Sequence, residues 1–283
     1  RAYDPLRTTE ARSEVVVVGI DDASLQELGS WPWKRNIFAE LTKVLEDKGV
    51  KAVGYDVLFL EEREGDDAFK AVLNTVKIPV LLGSKNTGNT YYKSFFVDGS
   101  NSFVSSGLVN VLPDSDGKVR LYPHSLTSET TCVQPLAYKL FATATFKDVN
   151  SCTDASEAYF RYGDKIAEYS IIDVLSGKIN QEQLSGKIIL IGSTSLDLND
   201  YFISLSGEKI PGVMVHASIL RSLLNQEKDV NSSHGISFII MCLFAIMGAC
   251  MIIYTRRTLY QIFGVLLAAL ISIVLVALLF SYH

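Results

Sequence analysis

Proline, cysteine, histidine and tryptophan are all scarce in this chain of 283 residues, with 7, 4, 4 and 2 copies respectively. So few cysteines exclude a disulfide-stapled miniprotein, and a chain this long can bury a core without staples. The four histidines, His124, His216, His234 and His283, are widely separated and fall in no metal-ligand spacing, so no metal and no cofactor are expected. The sequence has neither a phosphate-binding glycine loop nor a nucleophile elbow, and no catalytic residue is expected either. Gly192-Ser193-Thr194-Ser195 follows an apolar run and reads as a strand-to-loop turn. Positive charge is not in excess: 26 Lys and Arg against 31 Asp and Glu give a net charge of -5. No basic patch interleaved with aromatics appears, which argues against a nucleic-acid partner.

Long uncharged runs, in contrast, are present. No residue from Gly235 to Tyr254 is charged, and a second such run extends from Leu259 to Tyr282. Each is about 20 residues or longer, enough for a helix to cross a hydrocarbon layer about 30 Å thick. Arg256 and Arg257 lie in the connector 255–258, and short basic loops stay cytoplasmic. Residues 235–254 and 259–282 are therefore expected as two transmembrane helices in the plasma membrane. Residues 1–233 are expected as one domain on the periplasmic or extracellular side. The chain opens at Arg1 without a targeting segment and closes at Ser281-Tyr282-His283, just after an apolar run. An upstream membrane anchor and a downstream continuation are expected, the alternative being a natural end at His283. An oxidising compartment permits a Cys132–Cys152 bridge, closing a loop of about 20 residues and worth about 3 kcal/mol in the chain-entropy account. Two separate thiols are the alternative.

Periodicity in the outer part points to an α/β domain, with a mostly parallel sheet flanked by helices and a β-rich insertion over about 84–128. Val15–Ile20 is a β-branched run typical of a strand buried on both faces. Asp22 is placed to cap a short helix over 23–28. Residues 34–48 carry apolar positions on one helical face, and 52–59 form a second buried strand. Strand, helix, strand in about 45 residues is a βαβ unit, whose two strands run parallel. Further helices are expected over 66–76, 134–146, 171–175 and 213–224, with strands over 79–83, 159–162 and 187–192.

Several segments together carry a family resemblance. Ile20-Asp21-Asp22-Ala23-Ser24-Leu25 with Leu28-Gly29-Ser30-Trp31-Pro32-Trp33-Lys34-Arg35 resembles the opening signature of CHASE domains of the second type, the extracytoplasmic sensory domains of bacterial signalling receptors. The strand around Tyr55-Asp56, the blocks Tyr159–Gly163 and Tyr169–Gly177, the segment Leu184–Gly192, and Pro211-Gly212-Val213 with His216-Ala217 resemble that family's later blocks in the same order. Tyr3-Asp4 with Arg7 resembles the stretch that follows an N-terminal membrane helix. The resemblance implies a sensory and membrane-anchoring module, with no catalysis of its own, that relays a signal to a cytoplasmic output domain. An adenylate or guanylate cyclase is the expected output, with a histidine kinase or diguanylate cyclase as alternatives. It also implies a homodimer, a lipid bilayer as partner, and an extracytoplasmic small-molecule or protein ligand. One departure is that Asp200 is followed by Tyr201-Phe202 where the family often has Thr-Pro.

In an open parallel sheet, ligands favour the crevice beyond the carboxyl ends of the strands. The candidates for such a site are Asp21, Asp22, Trp31, Trp33, Arg35, Asp56, Ser193 and Thr194. Each also has a structural reading: a cap for Asp22, a packing corner for Trp31 and Trp33, an ion pair between Arg35 and Asp21 or Asp56, a turn for Ser193. A non-signalling envelope assembly protein and an extracytoplasmic enzyme are the competing functions.

Overall fold

The computed structural model describes residues 14–87, 90–119, 121–123, 126–128, 131–146, 157–159, 166–204 and 207–225, together with Ile246. The chain divides into units 1–228 and 229–283, and the described elements belong to the first. The opening stretch 1–13, Cys152, the segment 160–165, the linker 226–234, both long apolar runs (Ile246 apart) and the Arg256-Arg257 connector lie outside the described residues. Among the described residues no helix is long and apolar enough to cross a membrane.

Strand β1 (Val15–Ile20) is buried at every position. Helix α1 (Asp22–Leu28) follows, capped by Asp21, whose carboxylate accepts the Ser24 amide at 2.9 Å. The expected cap, Asp22, is instead the first helical residue, because the extended backbone needed at a cap falls one position earlier, at Asp21. Helix α2 (Arg35–Asp47) and strand β2 (Ala52–Leu58) come next. Then follow α3 (Asp66–Thr75), β3 (Val80–Thr87), β4 (Thr90–Tyr92), β5 (Val104–Leu108), β6 (Leu121–Pro123), β7 (Leu126–Ser128) and β8 (Thr131–Val133). Helix α4 (Leu136–Thr145) leads to β9 (Glu157–Tyr159), β10 (Ala167–Ser170), α5 (Ile171–Leu175) and α6 (Gln181–Leu184). Strand β11 (Ile188–Ser193), the short pair β12 (Tyr201–Ile203) and β13 (Lys209–Pro211), and helix α7 (Gly212–Leu224) complete the domain.

The main sheet has seven strands in the order β10-β1-β11-β2-β3-β4, with β5 also paired to β3. All pairings are parallel except that of β4. Strands β1 and β2 are parallel, as their βαβ spacing predicts, but they are not neighbours. Strand β11 inserts between them, with Leu190 opposite Val17 on one side and Gly54 on the other. The β-rich excursion is also less separate than expected. Strand β5 joins the main sheet, while β6 pairs antiparallel with β9 and β7 with β8 in two small ribbons.

Two apolar layers explain why the central strands are hydrophobic throughout. Val16, Val18 and Ile20 of β1, Val53 and Tyr55 of β2, and Ile189 and Ile191 of β11 face Phe38, Leu41 and Leu45 of α2 and Phe69 of α3. The alternate residues Val15, Val17, Ala52, Ile188 and Leu190 face Leu136 and Leu140 of α4 and Val213, Ala217 and Leu220 of α7. A strand covered on both faces has no polar side to present, so its alternation is invisible in the sequence. Phe38 anchors the first layer, with ring centroids 5.2 Å from Phe59 and 6.0 Å from Tyr55.

Candidate functional site

Because β1, β11 and β2 run parallel, their carboxyl ends meet at one edge of the sheet. A cleft of about 370 Å³ opens there, lined by Ile20, Ser193 and Asp56 from the strand ends and by Trp31, Val109, Val111, Asp200, Phe202, Gly212 and His216 from the surrounding segments. Its size lies at the small end of the range of small-molecule pockets.

Asp56 reaches this edge through an irregularity in β2. Tyr55 pairs with Leu82, but the next pairing is Leu58 with Gly83, so Asp56 and Val57 bulge out of register. Asp56 shares its strand face with Ala52 and Gly54 and lies on the side covered by α4 and α7. Gly192 on the neighbouring strand leaves room for it: a Cβ there would stand 3.0 Å from the Asp56 Cβ and 2.8 Å from that of Val213. The Asp56 side chain is 8% exposed, and its Oδ2 has no hydrogen-bond partner. Burial pushes its carboxyl well above the usual carboxylate range, and the charge of Asp200 adds to the effect.

His216 enters from the first turns of α7, with its side chain 1% exposed. Its Nε2 lies 3.3 Å from the Val109 carbonyl oxygen. A carbonyl only accepts, so Nε2 carries the hydrogen and Nδ1 is left as a bare acceptor without a partner. Nε2 also lies 4.0 Å from Asp56 Oδ1, and the ring stands edge-on to Tyr122 at 6.3 Å. Burial pushes the imidazole down to about 4, outweighing the bond to Val109, so His216 is neutral at physiological pH. Asp200 accepts the Gly212 amide on its backbone oxygen at 2.9 Å. Its carboxylate fills the space a Gly212 side chain would take, 2.6 Å from the position of a Cβ, and burial raises it as well.

Of the residues singled out from sequence, Trp31, Asp56 and Ser193 line the cleft. Trp31 also packs edge-on against Trp33 at 5.4 Å, and Ser193 Oγ donates to the Ser195 carbonyl at 3.4 Å. The other five do not line it. Asp21 caps α1 and accepts a bond from Ser170 Oγ at 3.0 Å, tying α1 to the end of β10. Asp22 accepts a hydrogen bond from Ser195 Oγ. Trp33 Nε1 donates to the Gly29 carbonyl at 2.7 Å. Arg35 pairs with neither Asp21 nor Asp56: its Nε lies 3.4 Å from Asp66 Oδ1, and its guanidinium sits 4.7 Å from the Phe59 ring centre. The β2–α3 connection folds back over the start of α2, with the Arg35 amide donating to the Glu64 carbonyl at 2.8 Å, and so brings up the nearer carboxylate, Asp66. Thr194 Oγ1 is buried without a partner beside Gly19 and does not line the cleft. Sequence reasoning missed Asp200 and His216 as site residues. His216 stands in a block that carries the resemblance but reads in the sequence only as one of four scattered histidines, and Asp200 is marked only where the chain departs from the family pattern. Cys132 lies in β8, and its possible partner Cys152 is outside the described residues. Among the described residues no three His, Cys, Asp or Glu side chains are grouped to hold a metal.

The domain is thus three-layered, with helices on both faces of a mostly parallel sheet and a cleft beyond the carboxyl ends of its central strands. The family model of the CHASE2 domain matches residues 1–251, and the chain belongs to that family. CHASE2 domains are extracellular sensory domains of signalling proteins, typically lying outside the cytoplasm in membrane proteins. No curated protein and no solved structure matches the chain.

Proposed function

We propose that the chain is the sensory and membrane-anchoring part of a transmembrane receptor, that its strand-end cleft is the ligand site, and that α7 carries the signal toward two membrane helices, 235–254 and 259–282. The observation that supports this most directly is the placement of α7. Its first residue, Gly212, and His216 line the cleft, while its last, Leu224, stands about ten residues in sequence before the first long apolar run. Thirteen helical residues make a rod about 20 Å long, and such a rod transmits displacement at one end to the other. Almost all of α7 is buried against the sheet and α4, so it moves with the core around the cleft rather than independently. The output domain is read as a nucleotide cyclase, with a histidine kinase or diguanylate cyclase as the alternative, and the working unit as a homodimer.

Sidedness is the test. Reporter enzymes active only outside the cytoplasm, fused after Asn225 and after Arg257, are expected to give high activity at the first position and none at the second. Equal activity at both would overturn the receptor reading.

A further inference from the structure

The chemistry lining the cleft is one-sided. Its two acids, Asp56 and Asp200, share it with a histidine whose Nδ1 only accepts, and no Lys or Arg is among the described lining residues. Asp56 Oδ2 and His216 Nδ1 are buried acceptors without partners, on side chains 8% and 1% exposed. A buried acceptor left unmatched costs stability, and a fold retains two of them in one cleft most economically where a donor arrives from outside. The N-terminus of α7, which would otherwise favour an anion, already abuts the Asp200 carboxylate at Gly212. An anionic ligand would therefore meet two carboxyls and, among the described residues, no cation. The remaining wall is apolar and aromatic, with Trp31 and Phe202 beside Val109 and Val111.

We infer that the cleft binds a small organic ammonium ion, its N–H donors seated on Asp56 and Asp200 and its apolar part held against Trp31 and Phe202. The inference rests on the reading of the cleft as the ligand site and specifies the ligand's class. A metal ion is the poorer fit, since among the described residues no three ligating side chains converge, whereas an ammonium needs only acceptors and a neighbouring ring face.

Binding of this kind is linked to protons. Among the described residues, the titratable groups that face Asp56 are His216 from α7, Asp200 from the segment after β11, and Tyr122 from β6. None of them offers a positive charge at neutral pH, so the empty cleft holds the Asp56 carboxyl in its protonated form more readily than water would. An arriving ammonium stabilises the carboxylate, and the proton leaves to solvent. Affinity therefore rises with pH, by up to about tenfold per unit below the free titration of Asp56, and levels off above it.

The experiment is calorimetric titration of the full chain in detergent with benzylammonium, and in parallel with the neutral benzyl alcohol and the anionic benzoate. Benzylammonium is expected to bind at least about tenfold more tightly than benzyl alcohol, benzoate not at all, and benzylammonium more tightly as pH rises. Asp56→Asn is expected to weaken the ammonium at least about tenfold and remove its pH dependence, with an unchanged or higher melting temperature. Trp31→Leu, which leaves the carboxyls in place, is expected to weaken it severalfold. If alcohol binds as tightly as ammonium, the ammonium assignment falls while the cleft remains a ligand site. If Asp56→Asn leaves ammonium binding unchanged, or none of the three probes binds, the inference is overturned. The sidedness reporters are unaffected by any of these results, so failure of the ligand class and failure of the receptor reading are read separately.

Discussion

Asp56 and His216 stand 4.0 Å apart in surroundings that favour the charged form of neither. Burial holds the imidazole near 4 against an ordinary value of 6.5. The folded protein thus binds fewer protons than the unfolded chain between these values, and the stability His216 allows at neutral pH is lost as pH falls from about 6.5 to about 4. The loss amounts to about 3 kcal/mol for a shift of that size. Asp56 acts in the opposite direction. Its folded carboxyl is raised, so its cost appears as pH climbs above the ordinary carboxyl range and is complete above its folded value. Replacing His216 with Gln keeps a donor for the Val109 carbonyl and removes the charge that acid would force into the core. Denaturant unfolding of His216→Gln is expected to show a shallower fall in stability on acidification than the parent protein. Equal falls in the two would show that the imidazole is not shielded. These residues also mark the limit of what sequence conveys at this scale. Asp56, Trp31 and Ser193 stood out because each ends or follows a readable element. His216 did not, since its partner groups, the Val109 carbonyl and Asp56, are more than a hundred residues away in the chain.

At the level of elements, the contact between β11 and α7 sets the shape of the cleft. Gly192 lies where a Cβ would meet Val213 Cβ at 2.8 Å and Asp56 Cβ at 3.0 Å. Neither atom is the end of a flexible side chain, so Gly192→Ala forces α7 away from the strand. A cost of about 1–3 kcal/mol is expected, as for other overpacked cores, measured as a lower denaturation midpoint. An unchanged midpoint would mean that α7 is less firmly seated than its burial implies. The individual elements were largely legible in the sequence. Helix α7 begins one residue earlier than expected, and β1, β2 and β11 lie where their β-branched runs placed them. Their order in the sheet was not legible, because local pattern records that a strand is covered on both faces but not which strands adjoin it. The same reason hid the pairing of β5 with β3. Strand β10 was missed because its four residues, Ala167–Ser170, alternate too briefly to register.

For the whole molecule, the cleft and the route out of it have to be tested together. Val111 lines the cleft from the segment after β5 and is only partly buried, so a larger side chain there fills the cavity without displacing the core. On the proposed receptor reading, Val111→Trp in the full-length protein is expected to fix the output at one level and abolish its change with stimulus, at little cost in folding. An output assay that still responds would place the sensing surface elsewhere on the domain.

The insertion of β11 between β1 and β2 bears on how the protein is made. The two strands that flank the middle of the sheet are made well before the one that joins them: β2 ends at Leu58, while β11 begins only at Ile188. Until then the edges of β1 and β2 that face β11 are unpaired, and unpaired edges of largely apolar strands invite aggregation. The nascent domain cannot close from its amino end. It completes its centre late and by long-range contacts, which makes folding slow and leaves a long interval in which a chaperone or export factor finds an open chain to hold.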